Sequence, residues 1–466
     1  MADKSYTVPG CIIEKLDELG APMPATTMRE RIQEWYLWWT ARAGWYTETY
    51  PDADGRPVTR SRLSIRPARR ICREWASLLA SEVTLSADGE RADAWLAGWA
   101  ERQGFQGAFQ DFVERTFALG TGALGLWADT EAGEVRLRRY DARMVAPISW
   151  DGDGVEECAM FTQAFLRGRP VDQLQLHRLD RETGTYHILT SVFEDGREVA
   201  VDGVEPDFDT GSTEPTFAVF RPAIENTYED LSPYGVSVFA DAVDAIKTVD
   251  MAWTALYDEV DLGRMMLMLP DSMIATDPKT NRPRPFGEGD AQRLYRLSAS
   301  DGMGGDKPYS FTPGLRVDAL YRAYGAALAQ MGDLSGFGLT YFKPDKSGGV
   351  KTATEVAADS SELMRNVRKH EQLMGASLSR VLAGTLQCAR ERLGADVEPG
   401  EVAVAVGWDD SIVTDTASEK NMALAEIQAL GVRELKVRYL QRYFGYPEDE
   451  AERMVPAAPD SVDQGF

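Results

Sequence analysis

The sequence predicts an α+β protein, mainly helical, with one β-rich stretch set inside a frame of helices. Three observations carry that prediction. Apolar residues recur at helical spacing through the first hundred or so residues. From Ala123 to about Phe220, short alternating runs are separated by turn chemistry. Beyond that lie three long helical patterns, from about Val238 to Leu269, Arg316 to Gly336 and Thr352 to Leu393.

In chain order, "TMRERIQEWYLWWTARAGWY" (Thr27 to Tyr46) places Trp35, Trp38, Trp39 and Trp45 on one broad aromatic face. Such a stripe reads as core or subunit interface ahead of a membrane-surface role. "SIRPARRICREWASLLASEV" (Ser64 to Val83) repeats Ile71, Trp75, Leu78, Leu79 and Val83 at helical period, and Arg91 to Gly120 continues in the same style. Within the β-rich stretch, "EVRLRRY" and "TYHILTSVF" read as strands of an antiparallel meander. "DGDGVEE" (Asp151 to Glu157) faintly resembles a calcium loop, but Val155 and Glu156 stand where that pattern needs Asp or Asn and Gly. A hairpin turn is expected instead.

The first long helical pattern uses Phe239, Val243, Ile246, Val249, Trp253, Leu256, Val260 and Met266, and would span roughly 48 Å. Pro270 ends it, and Asp271 to about Pro313 is a Gly-, Pro- and Asp-rich insert. The helix Arg316 to Gly336 then returns, which predicts an antiparallel pair with a knob at its tip. The last long helix opens on Thr352 and Glu355, spaced as a capping box. Its apolar seam runs through Val356, Leu363, Val367, Met374, Leu378 and Val381, with His370 on the seam as a packed histidine. At about 60 Å such a helix needs a neighbour along most of its length. A short strand, "EVAVAVGW", two further helices, a short helix and a loose tail are expected to follow.

At 466 residues the chain has room for two or three domains, and 44% hydrophobic with 27% charged residues is ordinary globular composition. The net charge of −24 disfavours static, salt-sensitive binding to nucleic acid. Contact with DNA would have to be local, on a surface past which the polymer moves; the plainer reading is a soluble acidic surface. Cys11, Cys72, Cys158 and Cys388 form no CxxC, and His177, His187 and His370 have no ligand spacing. No apolar stretch approaches a membrane span and no signal peptide is expected, so synthesis is assigned to a reducing cytoplasm.

One loop raises a question of chemistry. "YFKPDKSGGVKTATEV" sets glycines, lysines and a threonine before a helix. A phosphate-binding P-loop needs G-x-x-x-x-G-K-[ST], so that its lysine reaches the phosphates from the first helical turn. Here Val350 separates Gly349 from Lys351, and Pro344 stands at the first glycine position. No strand precedes, and the P-loop is rejected. What remains is either a solvated connector or a loop presenting Lys343, Lys346 and Lys351 to a polyanion. In the insert, Lys279, Arg282, Arg284, Arg293 and Arg296 outnumber Glu288 and Asp290, while Asp271, Asp277, Asp301 and Asp306 offset that excess. This is either ordinary surface charge or a docking site for an acidic partner.

"KTATEV" opening a very long helix, after a Gly/Lys loop and two long helices around an insert, resembles the portal proteins of tailed bacteriophages. The likeness is nearest to the siphophage-type portals, which form the head-to-tail connector. "RICREWASLLASEV", "ALGTGALGLW", "SPYGVSVFADAVDAI" and "WDDSIVTDTASEKNMALAEIQALG" extend it, in order, over roughly Arg31 to Val455. The resemblance implies a ring, normally a homododecamer, at one vertex of the virion's capsid, assembled in the host cytoplasm. Double-stranded viral DNA would enter and leave through its channel.

It further implies a wing at 1–236, a stem helix at 237–270, a clip at 271–315, a second stem helix at 316–336, a tunnel loop at 337–351, a long tunnel helix at 352–395, a crown at 396–455 and a tail at 456–466. The tunnel-loop residues Lys343, Lys346, Ser347, Gly348, Gly349 and Lys351 would touch DNA, with Thr352 and Glu355 capping the helix after them. The clip residues Lys279, Arg282, Arg284, Arg293 and Arg296 would face the terminase large subunit and then the head-completion or adaptor protein. The major capsid protein and the scaffolding protein are the other implied partners, and no enzyme activity, metal, cofactor or membrane is expected. Two alternatives stay open: a metal-dependent nucleic-acid-processing enzyme using Asp409 and Asp410, and a capsid scaffold protein without a channel.

Overall fold

The computed structural model describes residues 7–51, 54–81, 83–129, 133–152, 154–166, 168–263, 265–270, 273–279, 294–297, 308–343, 353–400, 402–408, 427, 433–444 and 453–455. Helices α1 (Gly10–Glu18) and α2 (Met28–Trp39) lead to a protruding hairpin of β1 (Thr47–Pro51) and β2 (Pro57–Ser61). The expected helix through Tyr46 therefore stops at Trp39. Leu37 O accepts the N–H groups of Arg42 and Ala43, and Ala41 takes a positive φ of 56°. Trp35 and Trp38 are buried, while Trp39 and Trp45 pack half-buried against the same core.

Helix α3 (Pro67–Ala80) opens with proline at its first position, where the missing N–H costs nothing. Val83 is not helical but begins β3 (Val83–Ala87). The stretch Arg91 to Gly120 divides into α4 (Glu90–Arg102) and α5 (Phe105–Leu119), which ends at Gly120. The meander then runs through β4 (Gly122–Asp129), β5 (Glu134–Asp141), β6 (Val145–Trp150), β7 (Val155–Leu166), β8 (Arg169–Leu179) and β9 (Tyr186–Glu194). Short β10 (Arg197–Glu198), β11 (Asp207–Asp209) and β12 (Phe217–Phe220) complete it. One sheet has the order β10-β9-β8-β7-β6 with β11 also on β9, and a second has the order β12-β4-β5. Between β6 and β7 the Asp151 N–H donates to Gly154 O at 2.9 Å, and Val155 to Glu157 are already strand.

Helix α6 (Val243–Leu262) is shorter than the sequence predicts at both ends. Its expected last turns are β13 (Met266–Pro270), paired parallel with β14 (Leu294–Leu297) and antiparallel with β15 (Tyr309–Phe311). Helix α7 (Val317–Leu334) returns beside α6, so the insert carries a small three-stranded sheet at the far end of a helix pair. The 41-residue α8 (Ala353–Leu393) follows, and β16 (Val404–Trp408) pairs antiparallel with β3, joining segments more than three hundred residues apart. Helix α9 (Arg433–Phe444) packs Val437 against Val455.

One core cluster joins α2 to α5, the inner half of α6, α7 and α8. Leu363, Val367, Met374, Leu378 and Val381 of the expected seam are all buried in it. Against the meander, α8 comes so close that a Cβ on Gly384 would stand 2.5 Å from Pro215 O, which requires glycine there. One turn on, Gln387 Oε1 accepts the Ser212 hydroxyl and the Thr213 N–H, both at 3.0 Å. Together they lock the 212–215 segment onto the helix.

The helix pair is tied to the body by Asp250 of α6, which is fully buried. Its carboxylate accepts from Tyr46 Oη at 2.9 Å, Ser64 Oγ at 2.8 Å and the Ile65 N–H at 3.0 Å. Burial raises its pKa despite those three donors. A raised folded pKa favours folding fully below the unfolded value of about 4, and that advantage is lost as pH rises through the folded pKa. Asp250→Leu strands three polar groups and should cost about 3 kcal/mol or more in chemical denaturation. Asp250→Asn keeps an acceptor for Ile65 and removes the titration. Its melting temperature should gain on that of the wild type as pH rises from 4 to 7, and a constant gap across that range would contradict the assignment.

Candidate functional site

The loop that the sequence singles out leaves the body at the end of α7, and the structure explains how that departure is held. Gly336 takes a φ of +83°, open to glycine and costly for other residues, and turns the chain back after the helix. The Phe337 N–H returns to Gly332 O at 2.9 Å. Phe337, Tyr341 and Phe342 then pack against one another, tilted or edge-to-face, with ring centroids 4.7 to 5.0 Å apart. Trp75 of α3 lies 4.6 Å from the Phe337 ring and donates its indole N–H to Ser335 O at 3.0 Å. Asn366 of α8 donates to Gly336 O at 3.0 Å.

His370 of α8 completes the knot, 4.8 Å edge-to-face from Trp75. Its Nδ1 accepts the Ala223 N–H at 2.9 Å, and burial, helped by Lys369, lowers its pKa to about 3. It is a neutral packing histidine. On the outer side Tyr341 donates to Glu74 at 3.0 Å, and burial pushes its phenol well above the ordinary range. The Arg70 guanidinium lies 5.0 Å over the Phe342 ring. Lys343 is the exposed residue just beyond this knot, beside a 470 Å³ cavity lined by Arg70, Glu74, Tyr324, Leu328, Tyr341 and Phe342.

The structure thus places Lys343 at the mouth of the loop. Lys346, Ser347, Gly348, Gly349, Lys351 and Thr352 lie outside the described residues, and Glu355 is described only as backbone in α8. Of the insert bases, Lys279 follows a turn in which its N–H donates to Asp277 at 2.9 Å. Arg282, Arg284 and Arg293 lie outside the described residues, and Arg296 is placed by its backbone opposite Leu269 of β13. Asp409 and Asp410 also lie outside them. Among the described residues no group of three or more His, Cys, Asp or Glu is placed to hold a metal, and no helix is long and apolar enough to cross a membrane.

The helix pair supplies a second feature that pattern reading missed. Trp253 and Tyr324 pack across it at 5.7 Å, and Glu259 takes the Arg316 N–H and its guanidinium, each at 2.8 Å. That ion pair holds the Glu259 carboxyl below its usual range. Past the body, however, large apolar side chains stand outward beside the charged Asp318 and Arg322 of α7. Met251, Trp253, Tyr257 and Val260 of α6 are 48, 37, 52 and 56% exposed, with Leu315 and Tyr321 exposed on the returning limb. Helical period alone marks Trp253 and Val260 as buried. Only the narrowness of a two-helix rod shows that it cannot cover them.

No protein-family model matches the chain, and no curated protein matches it. Among solved structures it is similar to a chain of the neck of a native GTA particle computed with C12 symmetry, at 14% identity and a TM-score of 0.41, over 80% of this chain and 89% of the other. It is also similar to a chain of the neck of an empty GTA particle computed with C6 symmetry, at 14% identity and a TM-score of 0.40, over 82% and 89%. A chain of the virion of a native gene transfer agent (GTA) particle gives 14% and 0.39, over 82% and 90%. No residue is carried over from them.

Trp75→Ala should destabilise the chain by about 3–5 kcal/mol, the cost of a buried aromatic cavity. Trp75→Phe keeps the ring contact but strands Ser335 O, for about 1–3 kcal/mol. Denaturation midpoints measure both, and equal costs for the two variants would show that the indole hydrogen bond is not part of the anchor.

Proposed function

We propose that the chain is the subunit of a portal-type ring, a head-to-tail connector through which double-stranded DNA passes during packaging and ejection. The observation that carries this reading is the helix pair. It is a rod tipped by a small sheet, and its outer half presents apolar side chains that the chain itself leaves uncovered. Trp253, Tyr257 and Val260 share one face of α6 at helical spacing, and an exposed apolar face of this kind marks an interface. Parallel rods of identical copies, set side by side around an axis, cover it. The ordered sequence motifs over Arg31 to Val455 support the same reading.

Charge is compatible with a channel that does not grip. Apart from the buried Asp250, helix α6 carries Asp244, Asp258, Glu259 and Asp261 against Lys247 alone, and the whole chain carries −24. A duplex is therefore repelled overall and met only at local cations. In this reading the 337–351 loop, rising from the aromatic knot, offers Lys343, Lys346 and Lys351 to phosphates. Each exposed contact contributes about 1 kcal/mol or less, weak enough to break at every step of translocation. The tip of the rod, 271–315, would meet the terminase large subunit and later the head-completion or adaptor protein. The remainder would meet the major capsid and scaffolding proteins.

Size measurement with negative-stain imaging tests the ring: hollow, cyclically symmetric particles are expected, alone or with capsid components. Compact single particles under both conditions would overturn it. Replacing Lys343, Lys346 and Lys351 together by alanine should change DNA retention or packaging yield and leave ring assembly intact. Unchanged packaging would remove the loop from the DNA path.

A further inference from the structure

The long strand β7 carries a knob at one end and a hole at the other. At its far end the β7–β8 hairpin runs past the rest of the sheet. Asp172 is the first β8 residue paired to β9, and the cross-strand pairs Phe165–Pro170 and Leu166–Arg169 lie beyond it. There Phe165 is 72% and Leu166 39% exposed. At the near end, where β7 begins, a 560 Å³ cleft opens between the β6–β7 turn, the 215–221 segment and the middle of α8. Trp150, Phe217, Leu373 and Ala376 make its walls apolar, and Arg221 and Arg380 stand in it with Asp151.

The cleft's rim is built to meet something apolar. Leu231 holds a left-handed φ of 55° with its side chain 93% exposed, and its carbonyl accepts the Trp150 indole N–H at 2.9 Å. A leucine so placed pays twice, in backbone conformation and in exposed apolar surface. With 12 residues in β7, the knob and the hole lie about 36 Å apart. No chain can fill its own cleft across that distance.

We infer that the hairpin tip of one copy seats Phe165 in the cleft of the next copy, a head-to-tail contact between identical chains. The tip and the cleft each carry both signs: Glu194 and Asp195 stand beside Arg169 and Arg197, with Arg169 bonded to Glu194 at 2.8 Å, and Arg221 and Arg380 stand with Asp151. In this contact Asp195 approaches the cleft arginines, and an arginine of the tip approaches Asp151. An aromatic ring of this kind buries about 150–250 Å². Contacts made by two different patches, rather than one patch meeting itself, generate rings when the rotation closes. The inference rests on the ring reading and adds to it a second contact, remote from the helix pair.

The test uses the full chain carrying Cys11→Ser, because the other three cysteines are buried. Phe165→Cys and Ala376→Cys are introduced together and treated with a short bismaleimide crosslinker. The double variant should give a ladder of covalent multimers on a denaturing gel. Each single variant should stay monomeric, and a mixture of the two singles should stop at dimers. Separately, Phe165→Asp should raise the concentration needed for assembly at least tenfold without moving the melting temperature of the unassembled chain. Native particles that are rings yet give no ladder would overturn this contact and leave the ring reading standing. Crosslinking of Phe165→Cys copies to one another would show a self-meeting patch and also overturn it. Single native particles would remove the ring and this contact with it.

Discussion

The indole of Trp75 sits where α3, the turn after α7 and α8 converge, and the rest of the architecture depends on that junction. Its ring fills the space between Phe337, Phe117 and His370, and its one polar atom satisfies the carbonyl of Ser335. The constraint is geometric. The chain turns back at Gly336, directly after α7, and a buried turn leaves carbonyls that need donors. Here the donors come from α3 and α8, Trp75 to Ser335 O and Asn366 to Gly336 O, and they fix the turn that precedes Phe337. His370 shows the same economy: its ring packs as an aromatic, and its single acceptor nitrogen answers Ala223.

The second organising element is a contrast within the helix pair. Its inner half joins the body's core and is tied there by Asp250, whereas its outer half has its partner helix and one ion pair, Asp258 with Arg60 of β2 at 3.5 Å. Two packed helices can bury one stripe each. The remaining apolar side chains must meet water or another molecule. On a strongly acidic chain, like charge opposes indiscriminate sticking of such a surface. The knob and cleft at the two ends of β7 have the same character. Both are unfinished within one chain, and they differ in shape.

Much of this was legible from residue order. The helical period located α2, α3, α7 and the buried seam of α8, and turn chemistry separated the strands of the meander. The errors share a cause. Met266 to Pro270 continues the apolar run of α6 but is strand β13, because β14 and β15 supply hydrogen-bond partners from distant parts of the chain. Local pattern does not register such partners. Val83 likewise looks like the last residue of a helix and is the first of β3, whose partner β16 lies more than three hundred residues on. For the candidate site, the sequence singled out the lysines of the 337–351 loop but gave no weight to Phe337, Tyr341 and Phe342. Aromatic residues in a loop become an anchor only when a Trp75 stands opposite them.

Composition, period and motif order determined, without coordinates, that this is an acidic α+β chain with a long helix behind a Gly/Lys loop and a paired rod before it. Those properties reside in neighbouring residues, whose spacing sets which face of a helix is apolar and which dipeptides turn. Only the tertiary structure decided which apolar residues are covered, where the rod leaves the body, and that one strand presents a phenylalanine at one end and a cleft at the other. Burial and cavity shape depend on which distant segments pack together, and each segment contributes only one wall.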